Sequence, residues 1–223
     1  DDGRLLRTVM PIYYSDDCLT CHGSPKGILD ISGYPREGAQ AGDLAGAIIK
    51  AKTEAEGLQL LAKEPELASS ELLNALLAHA KELLKKHDYE PAMSFFNLAL
   101  KAAEMSGVSY DIAACLTQRA DAYDFQYLYE MALADHKRAL TLAESIGNKD
   151  LQSSINAKLA LVYQGLGNPR QAIEYNARAL ALSEELGNSE EFGNKDRLAR
   201  IIGNMGLISS NLGMVAAQIR YYE

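Results

Sequence analysis

The sequence has no tryptophan, three cysteines, six prolines and no apolar run near the roughly 18 residues that a membrane-crossing helix needs. Each scarcity excludes something. An odd cysteine count with a single C-x-x-C rules out a disulfide framework and a four-cysteine zinc site. Runs of Lys or Arg never exceed two residues, as at Lys85-Lys86, and the net charge is −8. A nucleic-acid partner is therefore not expected, because phosphate backbones need a basic face. There is no G-x-S-x-G and no P-loop, so the chain is not read as an enzyme. No targeting segment is visible. The chain starts at Asp1-Asp2 and stops at Tyr221-Tyr222-Glu223 inside a helical pattern, which reads as a fragment. What is present is an ordinary globular balance, 48% apolar and 23% charged, which favours an ordered fold.

The first 46 or so residues differ from the rest. They hold Pro11, Pro25 and Pro35 and seven of the 17 glycines, with short β-type runs at 5–14 and 28–31. From about Ala45 the pattern turns helical, and residues 45–64 read as one helix. Pro65 and Ser69-Ser70-Glu71 then signal the start of another.

Beyond that point the chain repeats. Ala92, Ala132 and Ala172 open similar nine-residue stretches, 40 residues apart, each closing on Ala99-Leu100, Ala139-Leu140 or Ala179-Leu180. Each copy exits through a glycine, at Gly107, Gly147 and Gly187, where a left-handed residue ends a helix. Gly165-Leu166-Gly167-Asn168-Pro169 reads as a stop, a turn and a start. This pattern resembles the tetratricopeptide repeat family over residues 70–223. The family's small first-helix residue falls on Ala80, Ala120, Ala160 and Gly206, and its aromatic on Tyr123 and Tyr163. The 40-residue spacing exceeds the roughly 34 of the standard repeat and implies longer helix pairs. A fourth copy starts near Asp196 and departs from the pattern at Gln218. The resemblance implies a protein or peptide partner in the groove lined by first helices. By alignment those positions are Asn74, Lys81, Thr117, Asp121, Asp124, Gln164, Arg200 and Ser210.

The densest chemistry lies at Cys18-Leu19-Thr20-Cys21-His22. C-x-x-C-H is the pattern of covalent haem attachment: two thiols add to the vinyl groups and the adjacent His ligates iron. A thioredoxin-like dithiol would open a helix after a strand, whereas here Ser15-Asp16-Asp17 precedes and Gly23-Ser24-Pro25 follows, which is a loop. Half a zinc site would need a second ligand pair nearby. The context resembles a family of PAS-like, single-haem c-type domains of bacterial sensor proteins. The shared residues are Pro11, Cys18, Cys21, His22, Gly23, Pro25, Tyr34, Pro35, Gly42, Asp43, Leu44, Gly46 and Ala47. Only the C-terminal part of such a domain is covered. The resemblance implies haem c on Cys18 and Cys21, His22 as proximal iron ligand and an extracytoplasmic, bacterial location. The distal ligand is not identifiable. His79 and His136 read as ordinary residues of repeat helices, His87 as an ordinary residue at a helix-to-helix turn, and Cys115 as a buried helix residue.

The expected architecture is mainly α. A loop-rich α+β haem-binding remnant spans residues 1–48, a linker helix 49–69, and an α-solenoid of about three and a half helix pairs 70–223. The expected function is a haem-bearing sensory or electron-transfer module joined to a protein-binding scaffold. The alternative is the scaffold alone, without loaded haem.

Overall fold

Left-handed residues punctuate the chain every 20 positions, at His87, Gly107, Tyr127, Gly147 and Gly167, with φ between 60° and 70°. Each ends a helix, and this spacing sets the fold. The computed structural model describes residues 41–51, 53–63, 65–186 and 201–206. Among the described residues every regular element is helical: α1 (Ala41–Lys50), α2 (Glu54–Lys63), a 3-10 turn (Pro65–Leu67), α3 (Ser70–Lys85), α4 (Tyr89–Ser106), α5 (Ser109–Phe125), α6 (Tyr129–Ser145), α7 (Lys149–Gly165) and α8 (Pro169–Leu186). The pairs α3/α4, α5/α6 and α7/α8 stack as a tetratricopeptide-like solenoid. None of these helices is long and apolar enough to cross a membrane. Residues 1–40 of the expected α+β remnant, with Cys18, Cys21 and His22, lie outside the described residues.

Starts and stops follow from the sequence. Ser69 caps α3 by accepting a hydrogen bond from the Leu72 amide at 3.4 Å, and Asn148 caps α7 through the Leu151 amide at 2.9 Å. At the α5–α6 turn the Tyr127 amide donates to the Asp124 carbonyl and the Leu128 amide to the Tyr123 carbonyl, both at 2.9 Å. This is the Schellman closure, repeated around His87, Gly147 and Gly167. Gly167 meets the left-handed geometry without a Cβ penalty. His87 and Tyr127 take the same geometry with a side chain attached.

Packing is set by small residues. Ala80, Ala120 and Ala160 are fully buried, as are Ala92, Ala132, Ala172, Ala99, Ala139 and Ala179. A methyl group at each crossing lets neighbouring helices approach closely and buries the larger side chains beside it. Phe96, Leu72, Leu76, Leu116, Ile155 and Leu159 are at most 1% exposed. Each contributes about 1.5–3 kcal/mol by removal from water. Ser183 replaces the buried alanine of Ala103 and Ala143, and its hydroxyl pairs with that of Ser153 at 2.6 Å. Cys115 is buried as expected, and burial pushes its thiol up to about 12.

One crossing is built three ways. In the first pair, His79 meets Phe95 edge-on, with ring centroids 4.6 Å apart. At the matching positions of the second pair, Arg119 Nε and Nη2 donate to Asp135 at 2.7 and 2.8 Å. Arg119 Nη1 also donates to Asn97 Oδ1 at 2.9 Å, and Asn97 donates to Glu54 Oε2 at 3.3 Å. The network therefore ties α2, α4, α5 and α6 together. Leu159 and Tyr175 fill these positions in the third pair.

The expected single helix over 45–64, and with it the linker helix 49–69, is not what forms. One helix ends at Lys50 and the next begins at Glu54, where the Thr53 hydroxyl accepts from the Glu56 amide at 3.2 Å. The reason is burial. Leu44 and Ile48 on α1 and Leu61 on α2 all join the core of α3 and α4, each at most 1% exposed. An unbroken helix would hold Leu44 and Leu61 about 25 Å apart and could not deliver both. Gly57 permits the return: a Cβ there would meet Leu98 Cδ1 at 2.8 Å. Residues 49–69 are therefore the end of α1, α2 and a 3-10 turn, packed as part of the solenoid.

Left-handed backbone costs an ordinary residue roughly 1 kcal/mol. His87→Gly and Tyr127→Gly should each raise stability by about 1 kcal/mol in thermal or urea unfolding, whereas Gly167→Ala should lower it by a similar amount.

Candidate functional site

The first helices α3, α5 and α7 lie side by side and line one face. Two clefts open between α3 and α5. The larger, about 600 Å³, is walled by Leu73, Asn74, Leu77, Tyr110, Asp111 and Ala114, among others. The smaller, about 290 Å³, is walled by Lys81, Leu84, Lys85, Phe96, Asp121, Ala122 and Phe125. Gln118 lines both.

Charge organises the floor. Lys158 Nζ, reaching across from α7, donates to both carboxylate oxygens of Asp121 at 2.7 Å. His136 Nε2 of α6 lies 3.7 Å from Asp121 Oδ1 behind this pair. Burial pushes the Asp121 carboxyl above its ordinary range, against the pull of Lys158. Burial also raises Asp124, with the negative charge of Asp121 adding to it. His136 is 1% exposed, and burial lowers its ring to about 3, with Lys158 pushing the same way. It is therefore a neutral core imidazole at neutral pH.

The positions expected in the groove divide. Asn74 and Lys81 are exposed and line the larger and smaller cleft respectively. Asp121 lines the smaller, neutralised by Lys158. Asp124 and Gln164 are half-buried on α5 and α7. Thr117 does not line the groove. It is 7% exposed, and its hydroxyl donates to the Ala113 carbonyl at 2.8 Å, as a hydroxyl buried within a helix must. Arg200 and Ser210 lie outside the described residues. Lys158, Gln118 and Phe125 were missed. Lys158 stands 37 residues after Asp121, one turn short of the 40-residue register, and that offset marks facing residues on adjacent first helices.

Apolar walls, amide side chains and mixed charge are recognition chemistry for a polypeptide. Residues 111–185 match the tetratricopeptide repeat family model. The solenoid is a tetratricopeptide array suited to protein–protein interaction. Residues 1–51 match the Tll0287-like family model, so that match ends just past α1. No curated protein matches the sequence. Among solved structures, BtubC from P. vanneervenii is 17% identical, with a TM-score of 0.59 over 81% of this chain and 75% of its own. Aspartyl phosphate phosphatase F from Bacillus subtilis is 16% identical, with a TM-score of 0.61 over 75% of this chain and 42% of its own. MamA protein is 18% identical, with a TM-score of 0.52 over 81% and 80%. At these identities the likeness is one of fold.

His136 supplies a test of the floor. The unfolded chain protonates this ring near its ordinary value of 6.5, and the folded chain only near 3. Between those values the unfolded state binds more protons, so stability falls as pH drops, by up to about 1.4 kcal/mol per pH unit. The raised carboxyls of Asp121 and Asp124 act with the opposite sign and are common to both proteins compared. His136→Phe, the residue at the matching position in the first pair, should lose less stability than wild type between pH 7 and 5 in melting curves.

Proposed function

We propose that this chain joins a covalently attached haem to a protein-docking repeat scaffold, and that it works outside the bacterial cytoplasm, without catalysis of its own. The observation that carries the reading is the position of C-x-x-C-H inside residues 1–51, the segment that matches the Tll0287-like model. The donor set fits haem c: Cys18 and Cys21 have the spacing for two thioether bonds to one ring, and His22 directly follows as proximal iron ligand. Bound haem would supply a redox or gas-sensing centre. Helix α1 falls within the matched segment, yet Leu44 and Ile48 are fully buried in the core of α3 and α4. A shift at α1 would therefore be felt by α3, which walls both clefts of the groove. This gives the haem-bearing segment a direct mechanical route to the docking face.

Coexpression with c-type haem maturation proteins and export to the periplasm provides the test. The full chain should keep a haem stain on a denaturing gel and show a Soret band, and Cys18→Ala/Cys21→Ala should lose both. A matured, exported wild type that carries no haem would leave the scaffold alone as the function.

A further inference from the structure

The sequence is poor in aromatic residues, yet several gather on one edge of the solenoid, away from the floor of the groove. The α3–α4 and α5–α6 turns form this edge. Tyr89 reaches from the first turn to Phe125 at the second, with ring centroids 6.2 Å apart. Tyr127 meets Tyr129 edge-on at 6.1 Å. Tyr129 in turn covers Gly165 of the next pair, where any Cβ would collide with its ring. The outer members are open to water: Tyr127 is 78% exposed, Phe125 56%, Met131 48% and Leu128 42%. Four large apolar side chains are thus exposed within one short turn segment, whereas exposed apolar residues on a monomer are usually scattered singly.

Tyr127 adds an independent observation. It sits at φ 60° at the position that Gly167 occupies in the following pair. The fold does better with glycine there, so the tyrosine is held at a cost in stability and shows most of its surface to solvent. Strained residues that persist point to a role outside the fold.

The charge around the patch selects the occupant. Asp88 and Glu90 on the first turn and Glu130 on the second are exposed, and none is held in an ion pair among the described residues. Lys86 opposes them, and Lys81 stands beside Phe125 in the smaller cleft, whereas Lys85 is taken by Glu82 at 2.6 Å. The edge is thus apolar at its centre with an excess of carboxylate at its rim. An anionic lipid surface would be repelled. A second copy of this chain, meeting the edge symmetrically, would set carboxylate against carboxylate. Phe125 also walls the smaller cleft, so the patch continues into the groove.

We propose that this edge docks a basic amphipathic segment of a partner protein. The apolar face of the segment lies on Phe125, Tyr127, Leu128 and Met131, and its Lys or Arg side chains meet Asp88, Glu90 and Glu130. Aromatic and methionine side chains inside a charged rim are what such helices recognise. The surface adjoins the groove at Phe125 but does not use its Asp121–Lys158 pair, and it is independent of the haem reading.

The test uses the full chain and two labelled peptides of one amphipathic pattern, one of leucine and lysine, the other of leucine and glutamate. Fluorescence anisotropy should show binding of the lysine peptide, weakening as salt rises, and none of the glutamate peptide. Tyr127→Gly should weaken binding about tenfold or more, the loss expected of a central aromatic contact. The same substitution is expected to stabilise the fold, so that loss cannot come from unfolding. Met131→Ser should weaken binding as well, and Glu144→Gln, on the opposite edge, should leave it unchanged. Equal binding of both peptides, or wild-type affinity in Tyr127→Gly, would overturn the proposal. So would Tyr127-dependent binding to mixed phosphatidylcholine–phosphatidylglycerol vesicles in place of the peptide, or a concentration-dependent dimer that Tyr127→Gly abolishes.

Discussion

The close approach of helices at buried alanines is the constraint on which the rest depends. Ala80, Ala120 and Ala160 on first helices, with Ala92, Ala132 and Ala172 on second helices, leave room for one methyl group at each crossing. Everything larger is pushed to either side, into the inter-repeat core or onto a surface. Because the crossings recur every 40 residues, each surface position recurs too. The groove face and the turn edge are therefore products of one register, filled with different side chains in each copy.

That register explains why polar chemistry survives inside the array. At one crossing, His79–Phe95, Arg119–Asp135 and Leu159–Tyr175 occupy the same space. An ion pair with side chains 18% and 11% exposed adds little net stability, but it is costly to break once one partner is removed. Its further bonds to Asn97 and on to Glu54 carry it across to α2, which packs beside α1. The N-terminal helices are thus locked to the second repeat by directional bonds as well as by apolar burial.

Much of this was legible in the sequence. The 40-residue alanine spacing, the glycine exits and the Ser69 cap gave the helix pairs and their ends, because small residues and left-handed glycines have local causes. The helix end at Lys50 and restart at Glu54 were not legible. Alanine-rich sequence favours continuous helix, and only the tertiary demand that Leu44 and Leu61 share one core overrides it. The turn at His87 was legible as a break between helices, whereas that at Tyr127 was hidden because no glycine marks it. Lys81 and Asp121, two of the expected groove positions, do line the smaller cleft, where long or charged side chains reach the surface. Thr117 is buried instead, because a hydroxyl can satisfy itself on its own helix. Lys158 was missed because its partner lies on a neighbouring helix, which a one-dimensional alignment does not display.

The claim that helix approach at the alanines governs the structure is tested most directly by thermal unfolding of Ala120→Leu beside Ala134→Leu in the full chain. Ala120 is fully buried and Ala134 is exposed on α6. The account predicts that Ala120→Leu loses about 1–3 kcal/mol through overpacking, while Ala134→Leu changes stability by less than about 0.5 kcal/mol. Equal stability of the two variants would show that the crossings have slack, and would contradict it.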